Sequence, residues 1–461
     1  MIDWEQLYLK LPILLQNVCC SMLGLQIQKQ RFGSGFHSLL TDFENRAYWS
    51  EKKIAEYRDQ RLRDFVLHCS TSVPYYRRLF RELGLRSEDI RSLEDLKQLP
   101  VLTKAHVQDS HGDFCSEAVP KRHTTVIHTS GTTGAGLRLA ATKAAIQEQW
   151  ACWWRFRRSH GISLNTRCAY FGGRSVVPIE QQKPPFWRYN IAGRQTLFSA
   201  YHMSPDYLDF YISQLKKSRA PWLHGYPSLL SILASHLLAT GKDLGYDLRW
   251  VTVGAENLLP HQAELIERAF GVRPIQSYGM AEACANISQC DLGKLHVDED
   301  FAGVEFLDTP EANAVKVIGT NFSNPATPLL RYDVGDTVTL DRQNCGCGRP
   351  GRIVSNLDGR QEDYIVLKNG ARLGRLDHVF KDLIRIRESQ IVQKDAGSIV
   401  VRVVRAPGYS YDDQQHLLRE LRKRLGPDMQ ISFDYPRELS RSKNGKLRFV
   451  VTERASEQLT I

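Results

Sequence analysis

The sequence predicts a multidomain α/β fold, with a large N-terminal domain and a small C-terminal domain. The first observation is length, since 461 residues exceed what one hydrophobic core usually supports. The second is the alternation of short apolar runs with segments of helical periodicity. The third is a polar, turn-forming segment at 355–363, after which the pattern changes to that of a small α+β unit. We therefore expect domains at residues 1–358 and 359–461.

Hydrophobic periodicity predicts the individual elements. Apolar spacing indicates helices in the N-terminal domain over 51–68, 206–217 and 261–270. Short apolar runs indicate buried strands over 124–127, 250–253 and 315–318. In the C-terminal domain, the predicted elements are strands at 390–393 and 398–404, a helix at 413–425 and a final strand at 430–435.

Residues 11–25 form an apolar N-terminal segment that is shorter than the ~20 residues of a membrane-spanning helix. Its apolar residues fall near one helical face: Leu11, Ile13, Leu14, Val18, Met22 and Leu25. We expect this helix to dock on the protein's own core. Peripheral contact with a membrane is the alternative, because Lys29 and Arg31 follow the segment.

Composition excludes several classes of protein. The chain is 42% hydrophobic and 24% charged, which is ordinary for a globular protein. The formal net charge is +10, but Lys and Arg are scattered, so we expect no nucleic-acid partner. Ten cysteines without a secretory signal indicate a cytoplasmic protein with no disulfides.

A loop rich in Ser, Thr and Gly follows the predicted strand at 124–127. Its residues can wrap phosphate oxygens with backbone N–H groups and hydroxyls: Thr129, Ser130, Gly131, Thr132, Thr133 and Gly134. The loop is not a Walker A motif, because no Lys-Ser or Lys-Thr pair follows at the required spacing. Taken alone, such a loop is more often a simple turn.

Four further segments make the nucleotide interpretation stronger. They are Tyr278-Gly-Met-Ala-Glu282, Leu330-Arg-Tyr-Asp-Val-Gly-Asp336, Asp358-Gly-Arg-Gln-Glu-Asp363 and Ser440-Arg-Ser-Lys-Asn-Gly-Lys-Leu-Arg448. Together with the first loop, they resemble the core motifs of the adenylate-forming family, in the same order along nearly the whole chain. His224-Gly-Tyr-Pro-Ser228 and Val253-Gly-Ala-Glu256 resemble the phenylacetate–CoA ligase and capsule-biosynthesis branch. One departure is Ala135-Gly136, where the family often has Lys-Pro.

The resemblance implies a role for each matching residue. Tyr278 and Gly279 would lie against adenine beside Ala255 and Glu256, and Asp336 would bind the ribose hydroxyls. Glu282 would hold Mg²⁺ against the phosphates. Lys446 would stabilise charge at the α-phosphoryl group, assisted by Arg331 or Arg360. Singly, Asp336 could be a turn residue, Glu282 a helix N-terminal acid and Lys446 a surface lysine.

The implied reaction is the activation of a carboxylic acid by ATP to an acyl-adenylate, followed by transfer to coenzyme A. The C-terminal domain would act as a mobile lid that pivots near Glu362. An amine, a sugar or a carrier thiol could replace coenzyme A as the acceptor. A catalytically inert scaffold in surface-polysaccharide assembly is the alternative from another class. A homodimer is plausible.

Five aromatic residues are candidates for an acyl pocket, although such residues are more often part of a core. They are Trp153, Trp154, Phe171, Trp222 and Tyr226. Separately, Cys290 and His296 precede Cys345-Gly-Cys347. Three thiolates and one imidazole would complete a closed tetrahedral Zn²⁺ site. Buried free cysteines are the alternative, and the resemblance to this branch favours zinc.

Overall fold

The computed structural model describes most of the chain. The described residues are 4–129, 137–204, 206–258, 260–309, 314–357, 365–373, 376, 379, 386–405, 408–437, 439 and 450–452.

The eleven α-helices of the described residues lie mainly in the N-terminal domain. They are α1 (Trp4–Leu9), α2 (Ile13–Arg31), α3 (Ser34–Arg46), α4 (Glu51–Ser72), α5 (Pro74–Glu82), α6 (Lys104–Asp109), α7 (Lys143–Ser159), α8 (Leu208–Ser218), α9 (Pro227–Thr240), α10 (Pro260–Phe270) and α11 (Tyr411–Leu425).

The strands of the N-terminal domain are β1 (Thr124–His128), β2 (Arg138–Thr142), β3 (Cys168–Gly172), β4 (Trp187–Asn190), β5 (Gln195–Ser199), β6 (Trp222–Gly225), β7 (Trp250–Val253), β8 (Ile275–Gly279), β9 (Asn286–Gln289), β10 (Leu295–Val297), β11 (Gly303–Asp308), β12 (Ala314–Thr320), β13 (Tyr332–Asp341) and β14 (Ile353–Leu357). Those that follow are β15 (Ile365–Val366), β16 (Arg372–Leu373), β17 (Ile386–Gln393), β18 (Ser398–Arg405), β19 (Gln430–Asp434) and β20 (Val450–Thr452).

One twelve-stranded mixed sheet organises the N-terminal domain, in the order β11-β12-β13-β14-β10-β9-β8-β7-β6-β3-β5-β4. Strands β5, β3, β6, β7 and β8 run parallel to one another. From β8 to β11, neighbouring strands are antiparallel. Because the carboxyl ends of parallel strands meet at one edge of a sheet, the loops after β3, β6, β7 and β8 are brought together there.

The C-terminal residues form a third hydrophobic core, to which Tyr201 also contributes. Strands β17 to β20 make a four-stranded sheet in the order β19-β18-β17-β20. Helix α11 contributes Leu417, Leu421 and Leu425 to the core of this unit. The boundary that we expect at residue 359 lies outside the described residues, and so does the hinge around Glu362.

The structure confirms the α/β fold class and most of the predicted elements. The helices expected at 51–68, 206–217 and 261–270 are α4, α8 and α10. The expectation of a buried strand at 124–127 is wrong in its burial, because β1 pairs with β2 in a separate two-stranded ribbon and Val126 is half exposed. The expectation that the strand at 430–435 is the last one is also wrong, since β20 adds to the edge of β17.

Helix α2 packs in the opposite sense to our expectation. Its apolar side chains face outward, and Leu14 and Met22 are 79% and 67% exposed. A stripe of Gln16, Cys20 and Gly24 faces the protein instead. Beside this stripe, Asn17 Oδ1 accepts from the Tyr189 N–H of the edge strand β4, and the Ser21 hydroxyl donates to the Tyr189 carbonyl. Apolar side chains could not provide these partners for the edge backbone. Among the described helices, none is long and apolar enough to cross a bilayer.

Candidate active site and metal centre

Three of the segments that resemble family motifs, at 224–228, 253–256 and 278–282, lie at the carboxyl ends of the parallel strands β6, β7 and β8. His224 and Gly225 end β6, and Tyr278 and Gly279 end β8. Ala255 follows β7 by two residues and has φ +68°, a left-handed conformation that costs energy in a residue with a Cβ. Such strained positions persist where the surrounding structure holds them, often at ligand sites.

Tyr278 and Asp336 are brought together from distant parts of the sequence. The Tyr278 hydroxyl donates a hydrogen bond of 2.7 Å to Oδ2 of Asp336. A turn at Gly335, with φ +77°, supports this arrangement within β13, and the Gly335 N–H donates to Asp333. The aromatic ring and the carboxylate thus stand side by side, as a site for the base and ribose of a nucleotide requires.

The base of the candidate phosphate loop is closed by two hydrogen bonds. Thr129 is buried, its N–H donates to the carbonyl of Leu137, and its hydroxyl accepts from the Leu137 N–H. The two ends of the loop are therefore held together. The residues between them that we expect to bind phosphate, Ser130, Gly131, Thr132, Thr133 and Gly134, lie outside the described residues.

The remaining candidate site residues differ in their surroundings. Glu256 and Glu282 are half-buried, and the carbonyl of Glu282 accepts a hydrogen bond from Asn321. Arg331 is buried, with φ +56°, and its guanidinium is held by Glu305 at 3.0 Å and by the carbonyl of Leu99. Arg331 therefore anchors the β12–β13 region to the segment before α6. Arg360 and Lys446 lie outside the described residues.

Cys290, His296, Cys345 and Cys347 form a compact cluster, with their ligand atoms all within 4.8 Å of one another. The Cys290 and Cys345 sulfurs are 3.7 Å apart, and Cys347 Sγ is 3.4 Å from His296 Nε2. Tetrahedral zinc, with Zn–S of about 2.3 Å and Zn–N of about 2.0 Å, places its ligand atoms roughly 3.5–3.8 Å apart. The four residues therefore fit a closed zinc site.

Neighbouring groups support this ligand set. Nδ1 of His296 lies 3.3 Å from the carbonyl of Pro350, which leaves Nε2 free of a proton and directed at the cysteines. Burial lowers the pKa of His296, so that its imidazole is neutral, as a metal ligand must be. The structure describes all ten cysteines of the chain, and it contains no disulfide.

A buried network of ion pairs joins the cysteine–histidine cluster to helices α3 and α7. Arg349, two residues after Cys347, donates to Asp298 at 3.0 Å. Asp298 also accepts from Arg155 of α7 at 2.7 Å, and Arg155 in turn binds Asp300 at 2.8 Å. Arg46 of α3 completes the network with a 2.8 Å bond to Asp300. Each buried charge in this network has a partner, which is the condition for its tolerance in a core.

The aromatic residues that we predict for an acyl pocket fall into two groups. Phe171 is fully buried and stacks on Phe198 with ring centroids 4.6 Å apart, so it belongs to a core. Trp153 is half-buried and lies against the end of strand β8. A Cβ at Gly279 would come within 2.8 Å of its Nε1. Tyr226 lies near Gly173, and Trp154 and Trp222 pack edge to face.

A cluster of arginines beside these tryptophans was missed by the sequence analysis. The guanidinium carbon of Arg31 lies 3.8 Å from the centre of the Trp150 ring, and that of Arg157 lies 5.7 Å from the same centre. Nε and Nη1 of Arg157 are buried and have no hydrogen-bond partner among the described residues. Helical spacing could have indicated this, because Trp150, Trp153 and Arg157 share one face of α7.

Comparisons with known proteins match this architecture. The family model of the CapK C-terminal domain matches residues 366–453. Protein CapK of Staphylococcus aureus is 26% identical over 454 residues, covering 95% of this chain and 97% of CapK. A phenylacetate–coenzyme A ligase of Thermus thermophilus is 23% identical, covering 87% of this chain and 96% of that protein.

A solved structure shares the fold. It is 2-hydroxyisobutyryl-CoA ligase in complex with 2-HIB-AMP and CoA, with a TM-score of 0.57 and 18% identity over 89% of this chain and 91% of that one. The shared fold agrees with the sequence relatives, which extend over both domains. These similarities to CapK and a phenylacetate–CoA ligase extend over most of the chain and agree with the resemblance of the ordered motifs to the adenylate-forming family.

Proposed function

We propose that the chain is an AMP-forming acid–CoA ligase. The carboxylate of the substrate attacks the α-phosphorus of ATP and expels pyrophosphate, and the thiol of coenzyme A then displaces AMP from the acyl-adenylate. No general base is required in the first step, because a carboxylic acid with a pKa near ~4 is ionised at neutral pH. Positioning and charge neutralisation supply the catalysis.

The observation that carries this proposal is the pairing of Tyr278 with Asp336 at the end of β8. The ring offers a face for adenine, and the carboxylate offers acceptors for the ribose hydroxyls. Ala255 and Glu256 follow the neighbouring strand β7 and would close the base site. Glu282 would hold Mg²⁺, which neutralises phosphate charge when bound. Lys446 would reach the α-phosphoryl group from the C-terminal domain. Use of ATP and coenzyme A fits a cytoplasmic protein, and the link to polysaccharide biosynthesis rests on the similarity to CapK.

Pyrophosphate release from ATP, Mg²⁺ and a panel of acids tests the proposal, with hydroxylamine as the trap for acyl-adenylate. We expect acid-dependent release that Asp336→Ala and Lys446→Ala each reduce at least a hundredfold. Lys394→Ala, at an exposed lysine of the C-terminal domain, is the matched control and should retain activity. Silence across the panel, together with absence of ATP binding, would favour the polysaccharide-assembly scaffold instead.

We also propose that the Cys290–His296–Cys345–Cys347 cluster binds a structural Zn²⁺. Four protein ligands leave no open position, so such an ion would serve folding and not catalysis. Elemental analysis of protein purified without chelators should find one zinc per chain. Cys345→Ser should lose the metal, whereas Cys115→Ser, a cysteine outside the cluster, should keep it.

A second candidate activity is peripheral binding to an anionic membrane through α2. Its exposed apolar face consists of Leu14, Val18, Met22 and Leu25. Lys10 and Lys29 are also exposed, and no Asp or Glu occurs between Glu5 and Asp42. An apolar face with basic and no acidic residues is complementary to acidic headgroups.

Co-sedimentation with vesicles tests this contact. Binding to phosphatidylserine-containing vesicles should exceed binding to neutral ones, and Leu14→Ser with Met22→Ser should abolish it. Leu292→Ser, at an exposed leucine elsewhere, is the control. Loss of a dimer in the double variant, without any vesicle binding by the unmodified protein, would assign this face to a second copy of the chain.

A further inference from the structure

We propose that the acid activated by this chain carries a second anionic group, which Arg31 and Arg157 bind inside the acyl pocket. The inference rests on the proposed acid activation and deepens it by naming the substrate class. The shared chemistry is that of a carboxylate or a phosphate, and the experiment below distinguishes these two sources.

The guanidinium groups of Arg31 and Arg157 carry positive charge that no described carboxylate compensates. Neither guanidinium has an ion pair among the described residues. Burial, followed by the charge of Arg174, lowers the pKa of Arg31 to about 9. Burial lowers the pKa of Arg157 to about 10, and the groups that oppose this are Cys168 and Tyr170. Arginine stays protonated in proteins, so these charges persist and favour an anion that the protein does not supply.

Aromatic contacts connect the two arginines to the end of β8, where Tyr278 lies. Trp153 abuts Gly279 at the end of β8, next to Tyr278. Trp150 packs edge to face on Trp153, with centroids 4.8 Å apart, and carries Arg31 over its ring. Contacts therefore run without interruption from the candidate adenine site to the arginines. An acid whose carboxylate faces the α-phosphorus would extend along the tryptophans toward the two guanidinium groups.

Neutral polar side chains, Tyr170 and His224, lie on the adjacent strands β3 and β6. Tyr170 of β3 and His224 of β6 are paired in register, with ring centroids 5.4 Å apart. Thr252 Oγ1 accepts from the indole of Trp222, so its hydrogen is available to His224 Nδ1 at 2.7 Å. Burial and then Arg157 lower the pKa of His224 to about 3, so the ring is neutral.

These features match what an anionic group needs. Planar guanidinium groups bind carboxylate and phosphate oxygens in a two-pronged manner, and desolvation strengthens such bonds. Cation–π contact with Trp150 holds the guanidinium groups in place but does not neutralise them. A monoanionic acid with an apolar tail would leave both charges without a partner.

The test compares matched acids in the pyrophosphate-release assay. We would use phenylacetate, 4-carboxyphenylacetate and 4-phosphonophenylacetate, and in parallel hexanoate and adipate. We expect kcat/KM for the doubly charged acids to exceed that for their monoanionic partners by about tenfold to a hundredfold. The relative rates of the carboxylate and phosphonate arms identify which anionic group the pocket accepts.

Arg157→Met and, independently, Arg31→Met should remove this preference, so misfolding of one variant leaves the other as a test. Arg158→Met is the matched control on the same helix, because Arg158 is exposed and pairs with Glu44. Equal or better use of the monoanionic acids by the unmodified protein would overturn the inference. An unchanged preference in both pocket variants would overturn it as well.

Calorimetric binding of the same acids separates this inference from the proposed function. Selective binding of the doubly charged acids, lost in Arg157→Met, supports the pocket even if no pyrophosphate is released. Activation of monoanionic acids with no selectivity would retain the ligase and remove the second anionic group.

Discussion

Two arginines two residues apart on α7 have opposite surroundings. Arg155 is buried among Asp298 and Asp300, and although burial alone would lower its pKa, these carboxylates hold it above the ordinary value. Arg157 projects among Trp150, Trp154 and Trp222, where burial lowers its pKa to about 10. One helix thus carries a charge paired with carboxylates and a charge that has no ion pair within the part of the chain that the structure describes.

This difference distinguishes a buried charge that stabilises the fold from a buried charge that would bind a ligand. The Arg155 network connects α3, α7 and the segment that follows the metal cysteines, so removing any member leaves a buried charge behind. Arg31 and Arg157 carry charges that no acidic side chain of the described residues pairs with, and a bound anion would neutralise them. Groups with perturbed pKa values close to a candidate nucleotide site are candidates for substrate contact.

The largest effect is expected for Asp298→Ala. This change leaves Arg155 and Arg349 without a shared carboxylate, and a broken buried pair costs about 3–5 kcal/mol of unfolding free energy. Urea denaturation measures it. Asp209→Ala, which removes an exposed partner of Lys242, should change stability little. Equal small effects of the two substitutions would show that the network is not structural.

A somewhat smaller loss is expected on removal of the metal. A zinc ion present at a thousandfold excess over its Kd stabilises the folded state by about 4 kcal/mol. Incubation with a strong chelator should lower Tm, and added Zn²⁺ should restore it. Cys345→Ser should have the lower Tm with or without chelator. A chelator-insensitive Tm in the unmodified protein would contradict a structural zinc.

The most gradual effect, the smallest for each pH unit, concerns the pH dependence of stability at His224. The pKa of this residue is about 3 in the folded protein and near ~6.5 when unfolded, so the unfolded chain binds the extra proton below pH ~6.5. Stability should therefore fall as pH decreases from ~6.5 toward 3, by up to about 1.4 kcal/mol per pH unit. His224→Gln should flatten this slope, and His37→Gln, at an exposed histidine, should not. Identical slopes would place His224 in contact with solvent.

The sequence predicted the fold class and the segments that surround the candidate site, because periodicity and motif order are local properties. It predicted the four metal-cluster residues, since cysteine and histidine are distinctive in a chain without disulfides. It could not predict that α2 turns its polar stripe inward, because the edge of β4 that this stripe covers is formed by residues far along the chain. Arg31 and Arg157 were missed for the same reason: Arg31 follows an apolar helix in sequence, and its contact with Trp150 exists only in three dimensions.

On this proposal, helix α7 carries one structural arginine, Arg155, and one ligand-binding arginine, Arg157. The most direct measurement is the unfolding free energy of Arg155→Met and Arg157→Met, determined by urea denaturation in the same buffer without substrate. We expect a loss of about 3–5 kcal/mol for Arg155→Met, which removes one arginine partner from each of the buried carboxylates Asp298 and Asp300, and no loss or a gain of up to about 2 kcal/mol for Arg157→Met. An equally large loss in Arg157→Met would show that the protein itself compensates this charge, and would contradict the claim.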